Sequence, residues 1–503
     1  MNYNKFRDNI KILIEKETVT YVILFLLMVT ALIFGLMNTQ LGVNITPDSV
    51  GYINVGESLF HGNGFYITSY GAHQAYTVQP PLYPVMISIL MNFRISAEQS
   101  ARLIPILSFA LLMIPLFFIG RKVGNQYTGL LACIMCLTLT PLLEITAHAW
   151  TEMPYILFTA FSILFLTKFI LESKSKNQIL CLAAIFSSLA ILTRYIGITL
   201  IIVGIITLLI QYRFKIKQMI FKLLIFGSIS CIPISIWFYR NLMLTSSISG
   251  GNRSGVKDSF IINALTIKTT IMYDFGLIFV TLATIFIVLM ACYLFIKKNS
   301  YKKYLKNNYV IILYIFIYTG TLLLIKTLWA FDPIDYRLLA PIYPFLMVAT
   351  ISLFYCTFNE VKRYRSTLVI ALAVILGLFF MYQINSLNWY INTDNGIDNY
   401  NSIEWKDYNG LKWIQNNVPI NITIYSNIPE GTSFRLKRPV KYIPTSKEEF
   451  INQLNKDNSS IIICFKDNHP PYLSNKELKE ISKESNLLKV VANFPEATIY
   501  KTK

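Results

Sequence analysis

Charge is scarce in this chain. Only 14% of its 503 residues are Asp, Glu, Lys or Arg, where a soluble protein carries roughly 25%. Hydrophobic residues make up 54%, so a lipid environment is the first hypothesis and a water-soluble globule is disfavoured. Cysteine is sparse as well. The seven Cys are scattered, and all but Cys464 lie in apolar runs; an odd, dispersed set is no disulfide framework. Cys133 and Cys136 form a C-x-x-C inside an apolar run, without the second ligand pair a zinc site needs, so helix packing is the simpler reading. There is no internal repeat, which removes the inverted-repeat signature of many transporters. There is no RNA- or DNA-binding motif either, so the net charge of +18 does not indicate a nucleic-acid partner.

What the chain has is long apolar runs. A bilayer core of ~30 Å needs about 20 apolar residues per helix. Runs of that kind cover 21–39, 101–120, 126–143, 153–171, 178–193, 195–212, 217–238, 275–296, 308–328, 338–358 and 366–387. The expectation is a polytopic α-helical membrane protein with about eleven spans. The first run is long and lacks a small-residue cleavage site, so it reads as a span rather than a signal peptide.

Lys and Arg set the direction. With residues 1–20 in the cytoplasm, every inside segment is basic: Arg121 and Lys122, Arg213 to Lys217, and Lys297 to Lys306 are examples. The outer loop 40–100 holds only Arg94, and 144–152 holds no Lys or Arg. Residues 82–93 are apolar but short. Counting them as a span would put Arg121 and Lys122 outside, so they read as an interfacial helix with Pro84 in its first turn. The membrane module is thus 21–387, with the outer loop 40–100 inside it. From 388 to 503 the apolar runs shorten and charge rises. Strands are expected at 422–427 and 460–464, and helices at 403–416, 446–455 and 475–486. This tail reads as a small α/β domain, placed outside by the odd span count. The cell membrane is the expected location.

The first outer loop reads ITPDSVGYINVGESLFHGNGF. Pro47-Asp48-Ser49 starts a short helix in which Asp48 or Ser49 can accept from a free backbone N–H. His61-Gly62-Asn63-Gly64 stops it. Asp48 is either a cap or a chemical group. Its company favours chemistry: Glu152 starts the fourth span, Arg194 lies between the fifth and sixth, and Arg337 opens the tenth. Charges at such depths cost ~2.5–3.5 kcal/mol each in lipid and are usually paired or functional. For each arginine the bland alternative is a headgroup anchor that snorkels to the interface. Arginine binds phosphate through a planar fork, and a nearby carboxylate can take a proton from an acceptor hydroxyl. That set suits a substrate whose phosphate is attached to a lipid.

These stretches resemble the GT-C class of membrane glycosyltransferases. The similarity is to the branch related to protein O-mannosyltransferases and the bacterial aminoarabinose (lipid A) transferase. It rests on Asp48 in TPDSVGYINVGESLFHGNGF, QPPLYP from Gln79, Glu152 in HAWTEMPYILF, Arg194 in LTRYIG and Arg337 in DYRLLAPIYP. The resemblance implies a transferase that moves sugar from a polyprenyl-phosphate donor to a lipid, glycan or protein acceptor, with inversion. Asp48 would be the catalytic base, Glu152 would assist it, and Arg194 and Arg337 would hold the lipid phosphate. His73, Gln79, Tyr52 and Tyr336 are further candidate contacts to sugar or acceptor. Many relatives carry Asp-Glu where this chain has Asp48-Ser49, so no cofactor is certain; a divalent cation at Asp48, Glu152 and His148 stays open. The alternatives are a transporter or flippase of lipid-linked sugars, or a polymerase or ligase. A transporter would place ionisable groups at mid-membrane; the spans offer little of that, and Lys326, near the outer end of its span, is the main exception.

Overall fold

The structure is a computed structural model. It describes residues 17–503, apart from 68–73, 173–176, 251–256, 330–332, 362, 393–398, 458, 467–472, 485–486 and 503. His73 and most of the expected cytoplasmic N-terminus, 1–20, lie outside the described residues.

The chain divides into two compact units. The first comprises Met1–Asn38, Thr77–Leu82 and Leu103–Thr393, and it is helical. Among the described residues, nine helices are long and apolar enough to cross a membrane, or ten if one bent pair is a single span. All eleven expected runs are helical, but two differ from a plain span. Asn177–Thr193 has only 17 residues, because the charged Arg194 follows it. The run at 126–143 becomes two helices, Gln126–Thr138 and Thr140–Ala147, bent by 59°.

Local chemistry explains the bend. Pro141 has no N–H to donate and its ring would clash with the carbonyl four residues back, so the first helix cannot run through it, and Pro141 sits instead in the first turn of the second. Leu139 is extended, with φ −73° and ψ 112°. The Thr140 N–H thereby loses a helical acceptor and donates to Gln383 Oε1 at 2.9 Å. The Gln383 amide donates in turn to the Asp274 carbonyl at 2.9 Å. Gln383 is fully buried, and it joins the break to helix Phe260–Phe275 and to the last long helix, Arg365–Asn392. Backbone groups in an apolar interior must be satisfied from within the protein, and here one side chain satisfies two. Cys133 and Cys136 are free and buried; Cys133 Sγ lies 3.3 Å from the Met113 carbonyl. Lys326 is buried in an ion pair with Asp258 at 3.1 Å.

The second unit comprises Thr39–Tyr76, Tyr83–Arg102 and Asp394–Lys503. Its five-stranded sheet runs in the order Lys441–Tyr442, Thr423–Ser426, Ser460–Phe465, Ala497–Thr502 and Leu488–Asn493. The first three strands are mutually parallel, and Ala497–Thr502 runs antiparallel to both of its neighbours. The central strand, SIIICF, is buried throughout, as expected of a run apolar on both faces. Tyr425, Ile462, Tyr500, Phe450 and Leu478 form the core around it.

Both expected strands are present. The helix expected at 403–416 is broken at Tyr408 into Ile403–Asp407 and Asn409–Asn417. Glu496 accepts from the Gly410 N–H at 2.9 Å, which fixes the second piece to the chain beside the sheet. Helix Pro429–Leu436 and the strands 441–442, 488–493 and 497–502 were not expected. Leu488–Asn493 faces mostly outward and has no apolar alternation to reveal it.

Replacing Gln383 by Leu should lower the melting temperature in detergent. It strands the Thr140 N–H and the Asp274 carbonyl, at ~1–3 kcal/mol per buried unpaired group. An unchanged melting temperature would show that the bend does not depend on this amide.

Candidate active site

Helix Glu152–Leu171 begins at Glu152, whose side chain is completely buried. One carboxylate oxygen, Oε1, pairs with both Arg194 Nη1 and Arg337 Nε. The other, Oε2, accepts from the Thr151 hydroxyl at 3.4 Å, and Arg194 Nη1 also donates to Thr151 Oγ1 at 3.3 Å. The two arginines are not sealed in: their side chains remain 17% and 21% exposed. A buried carboxylate would be costly alone, and two adjacent guanidiniums would repel one another. Together they make a charge triad with a net +1. The anionic member is at the bottom and the cationic members are partly accessible.

Each arginine is held by its own local structure. Arg194 follows helix Asn177–Thr193 in extended conformation, with φ −146° and ψ 132°. The chain turns at once into helix Ile198–Tyr212. The Gly197 N–H donates to the Arg194 carbonyl at 2.8 Å, and a Cβ on Gly197 would stand 2.6 Å from Ile191 Cα. Only glycine permits so tight a turn. Arg337 lies in the short helix Tyr336–Leu339. Asp335 caps it, accepting from the Leu338 N–H at 3.1 Å. Tyr318, from helix Lys298–Leu328, donates its hydroxyl to the Leu338 carbonyl at 2.8 Å.

The loop before Glu152 completes the setting. The Arg337 guanidinium lies over the Trp150 ring, 4.2 Å from its centroid. The other partner of that ring is His148, stacked at 3.9 Å and 17°. His148 Nδ1 lies 2.8 Å from the Glu144 carbonyl, and the Glu144 carboxylate accepts from the Tyr336 hydroxyl. Burial pulls the His148 imidazole down to about 4. Trp150, Thr151, Asp335 and Glu144 were not singled out from the sequence, although each sits within or beside a motif that was.

The remaining candidates are placed as follows. Gln79 is half-buried. Two residues before it, the Thr77 carbonyl accepts from Asn241 Nδ2 at 2.9 Å and faces the Tyr195 hydroxyl at 3.5 Å, so this segment is anchored beside the residue that follows Arg194. Asp48 and Tyr52 belong to the other unit. Helix Pro47–Phe60 takes Thr46 as its N-cap residue, which leaves Asp48 in the first turn at the second helical position. The expectation that Asp48 or Ser49 caps this helix is therefore corrected: the cap position precedes Pro47, which itself fits the first helical position. Ser49 Oγ instead lies 3.1 Å from Thr46 Oγ1. The helix ends as expected, with Gly62 and Gly64 at φ 79° and 80°. Tyr52 is buried edge-on against Tyr83, centroids 5.2 Å apart.

The residues do not fit the cation site left open by the sequence. Glu152 is engaged by two guanidiniums and His148 by a carbonyl and an indole. Among the described residues, no group of three or more His, Cys, Asp or Glu is arranged to hold a metal ion.

Comparison with known proteins places this geometry in context. Residues 78–237 match the family described as dolichyl-phosphate-mannose-protein mannosyltransferase. No curated protein matches the sequence. The structure is similar to that of ArnT from Cupriavidus metallidurans in the apo state, with a TM-score of 0.67 at 11% identity over 96% of this chain and 98% of that one. For ArnT bound to undecaprenyl phosphate the TM-score is 0.64 at 12% identity, with the same coverage. AglB, the oligosaccharyltransferase of Archaeoglobus fulgidus, in complex with an inhibitory peptide and a dolichol-phosphate, gives 0.56 at 12% identity over 90% of this chain and 70% of that one. The fold is therefore the GT-C fold that the sequence implied.

Two measurements follow from the triad and its loop. Glu152→Ala should destabilise the protein by ~3–5 kcal/mol, the cost of breaking a buried ion pair from one side; an unaltered melting curve would mean the arginines need no counter-charge. The depressed His148 value binds fewer protons in the folded state than in the unfolded one. Stability should therefore fall as pH drops from 6.5 to about 4 and level off below that. His148→Phe should flatten this slope, and a variant with the wild-type slope would assign it to another group.

Proposed function

We propose that this chain is a membrane glycosyltransferase that takes sugar from a polyprenyl-phosphate donor and delivers it to an acceptor on the non-cytoplasmic face. The observation that carries the reading is the triad: two partly exposed guanidiniums held on one buried carboxylate at the ends of membrane helices. An arginine fork recognises phosphate oxygens in pairs, and the triad's net charge of +1 leaves it attractive to an anion. A phosphate esterified to a long lipid suits a charged site at such a depth. The solved complexes of ArnT with undecaprenyl phosphate and of AglB with dolichol-phosphate support the same donor class.

In this reading the roles divide. Arg194 and Arg337 bind the donor phosphate and stabilise the charge that grows on it as the anomeric C–O bond breaks. Glu152 is a positioning residue, because its carboxylate is occupied by the two arginines and is not available as a base. Asp48 takes the proton from the acceptor hydroxyl as that oxygen bonds to the anomeric carbon. The leaving group is the polyprenyl phosphate. A single displacement inverts the anomeric centre. Tyr336 sets the Arg337 turn through Glu144, while Gln79 and His73 are contacts to sugar or acceptor.

The sidedness rests on the basic segments. With the Lys- and Arg-rich loops in the cytoplasm, the N-terminus is cytoplasmic, and the Asp48 loop and the C-terminal domain 388–503 are outside, in a cell-membrane protein.

The test uses purified wild type and three variants with radiolabelled polyprenyl-phosphate sugars and a membrane extract as acceptor. Asp48→Asn should lose ~100-fold or more of the transfer rate, as expected for removal of a general base. Arg194→Ala and Arg337→Ala should each raise the donor KM by ~10- to 100-fold, the loss of one charge-assisted contact. Wild-type transfer by Asp48→Asn would reduce Asp48 to a helix-start residue. Lipid movement between leaflets without any sugar transfer would replace the enzyme by a transporter.

A further inference from the structure

The unit that carries Asp48 contains a polar junction which the proposed chemistry does not use. Residues 43–45, just ahead of Pro47 and Asp48, run alongside Asn399–Asn401 from the far end of the chain. The Tyr400 N–H donates to the Ile45 carbonyl at 2.8 Å. The Ile45 N–H donates to Asn399 Oδ1 at 3.1 Å, and the same oxygen accepts from the Asn401 N–H at 3.0 Å. Asn399 Nδ2 donates to Asn44 Oδ1 at 2.8 Å. Asn401 Nδ2 donates to the Val43 carbonyl and to Glu98, each at 3.1 Å.

All three asparagines are buried, at 6–8% exposure. A buried polar side chain at the end of a loop is costly unless it is fully paired. Asn399 meets that condition: its oxygen takes two backbone donors and its nitrogen serves a third group. The approach is close enough to need Gly42, which has φ 111° and would place a Cβ 2.2 Å from Asn401 Nδ2. Beyond the junction the chain has little freedom. The Val50 N–H donates to the Thr46 carbonyl, so the N-cap residue directly follows Ile45 and the helix starts at Pro47. Its far part is fixed too, since a Cβ on Gly56 would stand 2.5 Å from Ile87. Asp48 is three residues from a clamped strand-like segment and in the first turn of a clamped helix.

We infer that Asn399 is a positioning residue for Asp48: the C-terminal domain sets the base by gripping the segment that leads into its helix. This rests on the reading of Asp48 as the base. The arginines that recognise phosphate belong to the other unit, so loss of Asn399 should affect turnover and spare donor affinity.

The experiment measures kcat and donor KM with radiolabelled undecaprenyl-phosphate sugar. Asn399→Ala should lower kcat by ~10- to 100-fold, the scale of a misplaced catalytic group, with KM within about threefold of wild type. Asn399→Asp keeps the double acceptor and can receive the Asn44 amide after that amide turns over, so it should recover most of the loss. In an Asp48→Asn background, Asn399→Ala should cause little further loss. Asn44→Ala leaves the Ile45 and Asn401 N–H bonds to Asn399 in place and should give a smaller fall in kcat; it serves if Asn399→Ala does not fold. The inference is overturned if Asn399→Ala, or Asn44→Ala in its place, keeps wild-type kcat. It is also overturned if kcat and KM worsen together with no recovery in Asn399→Asp. An inactive Asp48→Asn beside a fully active Asn399→Ala would remove this inference alone. A fully active Asp48→Asn would remove the assignment of the base itself.

Discussion

A single buried carboxylate, Glu152, organises the charged end of the helical unit. It has no access to water and faces two guanidiniums from chain segments 42 and 185 residues away. Neither arginine could stand so close to the other without it, and it could not be buried ionised without them. The turn at Arg194, tight enough to demand Gly197, and the capped helix at Arg337 are both set by this meeting. Trp150 joins the arrangement by meeting both the Arg337 guanidinium and the stacked His148 ring. The neutral imidazole adds no positive charge to a site that already has a surplus.

The second constraint is backbone hydrogen bonding where water is absent. At the bend in Gln126–Ala147, a proline leaves one N–H without a helical acceptor, and Gln383 supplies it. At residues 43–45 the backbone is irregular, and Asn399 and Asn401 bond to it. In both places a distant amide side chain, with a donor and an acceptor on one rigid plane, lets irregular backbone be buried. The outcome differs. At Gln383 the amide ties helices together. At Asn399 it grips the segment that leads into the Asp48 helix, and the C-terminal domain and the Asp48 loop are parts of one folded unit.

Hydropathy and charge bias are local properties, so the membrane class, the helical runs, the early helix at 47–60 and the two strongest strands were legible in the amino-acid order. So were Glu152, Arg194 and Arg337, which the structure brings together, because charge inside apolar sequence is conspicuous. Weakly patterned elements were not legible: strands 488–493 and 497–502 carry too little apolar alternation, and the break at Tyr408 depends on Glu496. Which group pairs with which was also hidden. Glu152 stood out in the sequence as a second acid, and its pairing with both arginines came only from the structure. Asn399 looked like one asparagine among many and turns out to have every polar atom of its amide engaged. Partner choice across such separations follows from which side chains packing brings within ~3 Å. The chain order could mark the groups that must find partners; only the tertiary structure decided the partners, because burial removes water as the alternative.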